Sequence, residues 1–156
     1  MTDTRLEKDT RHDGRKKPAR GPRYLPGDPR PGPDVDRIIR VDQAGEYGAT
    51  RIYAGQYDVL RRTGSGPTIK HMAEQEQVHL DAFNRMIVER RVRPTALTPI
   101  WHAAGYALGA GTALLGEKAA MACTVAVEEA IDEHYRAQLD TLGDDEADLR
   151  QSIAKF

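Results

Sequence analysis

The chain has 156 residues, with 23 Lys and Arg against 24 Asp and Glu for a formal charge of −1, so its balance gives no sign of a nucleic-acid-binding protein. With 39% hydrophobic residues, 6% aromatic and a single cysteine, Cys123, the composition excludes a disulfide scaffold and a strand-rich barrel and fits a reducing compartment. A chain of this length can bury a core as one domain.

Residues 1–36 stand apart. They hold six of the nine prolines and carry nine basic against seven acidic side chains, leaving 14 against 17 for the remainder. Met1 to Arg23 mix charges without an apolar run, which reads as neither a secretory signal nor a transit peptide. Pro26-Gly-Asp-Pro-Arg-Pro-Gly-Pro33 is incompatible with helix or ladder, and so polar a region buries too little to offset its ordering entropy. We read 1–36 as a disordered, Pro-rich polar arm. Its basic cluster of Arg15, Lys16, Lys17, Arg20 and Arg23 is interspersed with acids and reads as a solvating tail rather than a binding patch.

From residue 37 to 156 the punctuation predicts helices. Asp34 or Asp36 caps the first, running to about Arg62, and Gly64-Ser-Gly-Pro67 ends it. The second runs from about Thr68 to Arg91, stopped by Arg93-Pro94. A further helix spans about Glu117 to Leu142 and is closed by Gly143. Asp144 or Asp145 caps a last helix with Leu149, Ile153 and Phe156 at helical spacing, and the chain stops about three turns into it.

The apolar stripes of three helices are interrupted by carboxylates. On the second helix Ile69, Met72, Glu76, His79, Phe83 and Met86 step by three and four, so a Glu-x-x-His pair points where the core belongs. The helix near 117–142 aligns Met121, Thr124, Glu128, Ile131, Tyr135 and Leu139, and the first aligns Ile39, Asp42, Glu46, Ala49 and Tyr53. Burying ionised carboxylates costs several kcal/mol each unless a positive partner compensates. The stripes carry no arginine before Arg90, whereas a metal cluster accepts Glu oxygens and a His nitrogen directly. One Glu from each of two helices plus a Glu-x-x-His from each of two others is the ligand set of dinuclear four-helix bundles. Glu46, Glu76, His79 and Glu128 supply four of those six positions, with register alone deciding between Glu128 and Glu129.

Of the remaining candidates, Asp42 lies one turn before Glu46, where a hydrogen bond to a ligand is feasible. His134, near the Glu128 face, reads as a hydrogen-bonding residue or one placed by the substrate, and His102 as an interface residue beside Trp101. His12 and His71 read as solvated, and Cys123 as a small packing residue. Residues 94–116 carry no formal charge, but two prolines, a histidine and four glycines weaken the stretch as a membrane span. It is expected to lie in a membrane interface, with Trp101 and Tyr106 as anchors, ahead of the alternative of a buried helix packed through Gly105, Gly109 and Gly111. Either way it would wall the metal with apolar surface suited to a lipid-like substrate.

Four strings, Ile39-Arg-Val-Asp-Gln-Ala-Gly-Glu-Tyr-Gly-Ala49, Arg91-Val-Arg-Pro-Thr95, Ala107-Leu-Gly-Ala-Gly-Thr-Ala-Leu-Leu-Gly116 and Ala122-Cys-Thr-Val-Ala-Val-Glu-Glu-Ala130, closely resemble the demethoxyubiquinone hydroxylase family. The resemblance implies an all-α, ferritin-like bundle with a carboxylate-bridged di-iron centre. It also implies peripheral attachment to a membrane, here expected on the cytoplasmic face of the cell membrane, and O₂-dependent hydroxylation of a demethoxy polyprenyl quinol late in ubiquinone biosynthesis. Its iron ligands match Glu46, Glu76, His79 and Glu128; His134 and Tyr135 are secondary catalytic candidates, and the implied mechanism would let Tyr53, Tyr57 and Tyr135 orient a bound oxygen species or relay electrons. Two Fe ions, O₂ and an external reductant are the implied cofactors, and a polyprenyl quinol, a membrane surface and biosynthetic partner proteins or a second copy the implied partners. The family's second Glu-x-x-His falls beyond a segment resembling Ser152-Ile-Ala-Lys-Phe156, so a fragment is expected ahead of a motif supplied by another chain or an inactive relative. The rival readings are a ferritin-like metal-binding protein and a non-catalytic quinone-binding or assembly module.

Overall fold

The computed structural model describes residues 34–156; the arm read over residues 1–36 lies outside the described residues as far as residue 33. Every regular element among the described residues is helical: α1 (Val35–Leu60), α2 (Gly66–Glu89), α3 (Thr98–Leu114), α4 (Glu117–Thr141) and α5 (Ala147–Ile153), with a 3₁₀ turn at Asp144–Glu146. Asp34 caps α1 by accepting a hydrogen bond from the Arg37 amide at 3.1 Å, and Pro67 stands in the first turn of α2, where no amide hydrogen is needed. Glu117, in the first turn of α4, accepts from the amide of Ser65 at 3.0 Å and from its hydroxyl, tying the α1–α2 turn to the start of α4.

Two apolar clusters close the bundle. One gathers Ile39, Phe83, Val92, Tyr135, Leu142, Leu149 and Ile153; the other gathers Ala49, Tyr53, Leu60, Ile69, Ala113 and Ala120. Along α1, α2 and α4 the acids of the inward stripes fall between the residues that enter the two clusters. A polar band is thereby held in the middle of an otherwise apolar interior.

Helix ends depart from the expected punctuation in three places. Gly143, expected to close α4, has φ −80°; the helix ends because Leu142 turns extended. The left-handed glycine is instead Gly116, at φ 110°, immediately before α4. At the end of α2 the amide of Val92 bonds back to the Ile87 carbonyl at 3.0 Å and that of Arg91 to the Val88 carbonyl at 3.2 Å, a Schellman turn with Arg91 at φ 54° where glycine is usual. Neither Asp144 nor Asp145 caps the last helix by its side chain. The three acids form the 3₁₀ turn, α5 ends at Ile153, and the Arg150 guanidinium reaches back to the Leu139 carbonyl at 2.6 Å and to that of Leu142 at the end of α4.

The uncharged stretch forms a helix packed through glycine, the alternative reading, and also carries exposed apolar side chains. Pro99 opens α3, whose buried face crosses α1 through glycine: a Cβ at Gly109 would meet the Ile52 carbonyl oxygen, and one at Gly55 the Tyr106 carbonyl oxygen. Gly111 faces open space and takes no part in the crossing. Outside that crossing Leu97, Ile100, Trp101, Leu108, Leu114 and Leu115 are exposed. Tyr106, expected as an anchor, instead faces α1, donating to Asp58 at 2.8 Å beneath the Arg51 guanidinium. Among the described residues no helix is long and apolar enough to cross a membrane.

Candidate metal centre

Helical spacing carries Glu46 on α1 and Glu76 and His79 on α2 to one place. One ligand atom from each of the three lies within 4.8 Å of the others. His79 Nδ1 is 3.7 Å from Glu76 and 3.9 Å from Glu46, and its ring stacks on Phe156 with centroids 4.3 Å apart. Glu128 of α4 lines the same cavity of about 240 Å³, and it is half-buried while Glu129 is exposed, as the stripe requires.

Two tyrosines orient the acids. Tyr135 donates its hydroxyl to Glu46 and Tyr53 donates its hydroxyl to Glu128. Burial and the adjoining carboxylates push both phenols well above their ordinary range, so they remain protonated donors. Behind Tyr53 a buried network holds α1 to α4: Gln56 donates to the Ala120 carbonyl at 3.0 Å and accepts from Thr124 at 3.2 Å.

The electrostatics are unbalanced without a cation. Burial, then a hydrogen bond and charge repulsion with Glu46, then the Glu128 charge, raise Glu76 from 4.5 to about 9. Among the described residues Glu46 Oε2 and Glu76 Oε2 are buried with no hydrogen-bond partner, and no arginine or lysine pairs with either acid. Carboxylate oxygens without donors beside an imidazole nitrogen match the donor set of a first-row transition metal, and a divalent cation would compensate them. The residues present fit a metal.

Asp42 is placed differently from expectation. It is buried 2% exposed, yet no metal-ligand candidate bonds to it; Gln138 Nε2 donates to its Oδ1 at 2.6 Å and His134 Nε2 lies 3.5 Å away. Burial raises its pKa to about 7, opposed by the Gln138 hydrogen bond and assisted by the Glu46 charge. His134 stands outside the acid cluster, and Tyr57 packs against the second apolar cluster without a polar role in the site. Gln138 and Phe156 were not singled out as site residues. The signal for Gln138 was available, since it follows Tyr135 by three positions on the inward face of α4.

A groove of about 810 Å³ runs between α1, α3 and α4. Its walls include Ala49, Ile52, Trp101, Leu108, Cys123 and Ile131, and Asp42, Glu46, His134 and Tyr135 supply polar points. Glu46, Ile131 and Tyr135 line both groove and acid cavity, so the groove abuts the candidate metal site.

A family model described as ubiquinone biosynthesis protein COQ7 matches residues 33–156. The 3-demethoxyubiquinol 3-hydroxylase of Rhodospirillum rubrum is 61% identical over 133 residues, which cover 85% of this chain and 63% of that protein. A human relative, the NADPH-dependent 3-demethoxyubiquinone 3-hydroxylase, mitochondrial, is 60% identical over 126 residues, 78% of this chain and 58% of that one. The Saccharomyces cerevisiae 5-demethoxyubiquinone hydroxylase, mitochondrial, is 56% identical over 110 residues, 69% of this chain and 47% of its own length. The chain thus spans between about half and two thirds of the length of these relatives.

Proposed function

The chain belongs to the family described as ubiquinone biosynthesis protein COQ7, and from that membership we propose that it is the larger part of a di-iron monooxygenase that hydroxylates a demethoxy polyprenyl quinol in ubiquinone biosynthesis. The observation that supports it most directly is the cluster of Glu46, Glu76 and His79, with two donorless buried carboxylate oxygens, at the end of an apolar groove. Glu46, Glu76, His79 and Glu128 would hold the iron, and the chain contains one Glu-x-x-His, so it contributes four positions of the six-ligand pattern. Two ferrous ions so held would supply insertion of one atom of O₂ into a ring C–H bond, the other atom leaving as water with two protons and two electrons from a reductant such as the NADPH in the human relative's name.

The protein's own residues prepare that chemistry. Tyr135 and Tyr53 keep one oxygen each of Glu46 and Glu128 engaged, which leaves the second oxygen of each carboxylate for a cation. The groove offers a lipid-like substrate an apolar path to the buried Glu46 and Glu76. The exposed face formed by Leu97, Ile100, Trp101, Leu108, Leu114 and Leu115 suits docking on a membrane surface, where such a substrate resides.

Iron content and quinol hydroxylation test the reading in the protein and its Glu76→Ala variant. We expect the variant to lose bound iron and at least about a hundredfold of turnover. Unaltered turnover would sink the di-iron mechanism; iron retained without turnover under any reductant would favour a ferritin-like metal binder, and quinone binding without iron a binding module. Replacing Trp101 and Leu108 by Ser should reduce partitioning onto liposomes, and unchanged partitioning would remove the membrane docking face.

A further inference from the structure

Gln138 is the one glutamine buried on the inward face of α4, 6% exposed, and its amide nitrogen meets two partners at once. Nε2 lies 2.6 Å from Asp42 Oδ1 and 2.7 Å from His134 Nε2. An amide nitrogen carries two hydrogens and accepts none. Asp42 takes one hydrogen, so the contact to His134 is a hydrogen bond only if the imidazole nitrogen accepts the other. With Asp42 ionised, as at pH 8, turning the amide over would set its oxygen against a carboxylate oxygen, two acceptors with no hydrogen between them.

We propose that Gln138 and Asp42 are positioning residues that hold His134 as the neutral imidazole with its proton on Nδ1, so that this N–H is offered to a ring oxygen of a quinone-type ligand in the groove. The inference rests on the reading of that groove as the quinol site. Three placements support it. His134 is half-exposed and lines the groove, while the two residues that fix it are buried behind it. Nδ1 has no protein partner among the described residues. The adjoining Tyr135 hydroxyl is already engaged on Glu46. A donor at this point suits a carbonyl or hydroxyl oxygen, and an apolar tail then follows the walls formed by Trp101 and Leu108. Because a free neutral imidazole adopts either tautomer, an enforced one is the mark of a specified role.

Nitrogen-15 NMR of histidine-labelled, zinc-loaded protein at pH 8 reads the tautomer directly, with the His134 signals assigned by their loss in His134→Phe. We expect an imine-type Nε2 and a protonated Nδ1 in the wild type, and a mixed tautomer both in Gln138→Leu and in Asp42→Asn, whose amide can donate and so lets Gln138 turn over. Binding of a benzoquinone with one isoprene unit should weaken about tenfold in Gln138→Leu and in His134→Phe. Binding of a prenyl alcohol with the same tail should change less than about twofold. A proton on Nε2 in the wild type overturns the inference without any variant; so does an unchanged tautomer in Gln138→Leu, or equal losses for the two probes. Both readouts are made without turnover, so a failure of hydroxylation leaves them standing, and their failure leaves hydroxylation standing.

Discussion

Gly109→Ala is the sharpest test of how the groove is built. The added methyl would lie 1.9 Å from the Ile52 carbonyl oxygen, 2.7 Å from its carbon and 2.9 Å from its Cα, all backbone of the facing helix. Ordinary contact begins at 3.4 Å, so α1 and α3 must part locally by about 1.5 Å, because helical backbone cannot swing aside as a side chain can. Overpacking of this kind costs about 1–3 kcal/mol and occasionally more, and the upper end applies because Gly55 also meets backbone in the same crossing, a Cβ there falling 2.3 Å from the Tyr106 carbonyl oxygen. The better helix propensity of alanine returns up to about 1 kcal/mol, leaving a net loss of about 2 kcal/mol. Gly111→Ala is the matched control: nothing lies within 4 Å of its added methyl, so only the propensity gain remains. Urea denaturation of both variants measures the difference. If Gly109→Ala proves as stable as Gly111→Ala, the close crossing of α1 and α3 is wrong, and with it the wall of the groove.

Metal-free stability should fall as pH rises. Glu76 and Asp42 have folded pKa values of about 9 and about 7, above their ordinary 4.5 and 3.8, so the folded state holds these protons more tightly than the unfolded chain. The stability they contribute is complete below about pH 4 and is lost between there and about pH 9, on the order of several kcal/mol. Loading with a divalent metal should flatten the profile; a metal-free midpoint in urea that is level or rising from pH 5 to 8 would refute the electrostatic account of the site. Arg91→Gly should raise stability by about 0.5–1 kcal/mol in the same assay, since it relieves the left-handed turn that ends α2, and a destabilised variant would show that the arginine side chain contributes more than its backbone strain removes.

Much of this protein could be read before any coordinates. Period-3.6 stripes placed α1, α2 and α4 within a few residues of their ends, and they agreed with the family resemblance in taking Glu128 over Glu129, because a helix buries one face whatever it packs against. Acids inside apolar stripes marked Glu46, Glu76, His79 and Glu128 as a set, since an isolated buried charge is too costly to stand without a partner. The same reasoning applied to Gln138 would have found the Asp42 network, but an uncharged amide in a stripe raises no such alarm.

Other features depended on where separate segments meet. That residues 94–116 form a packed helix could not be read from hydropathy, because the glycine face of α3 needs the backbone of Ile52 opposite it. Likewise Asp42 was within reach of a ligand by spacing, yet α4 brings Gln138 to it instead, and Tyr106 turned from expected anchor to partner of Asp58. The sequence alone therefore determined which residues face inward, a local property of helical period and charge. The tertiary structure decided which inward side chains touch, because those contacts are set by helix crossings between residues far apart in the chain, and no local pattern encodes a crossing.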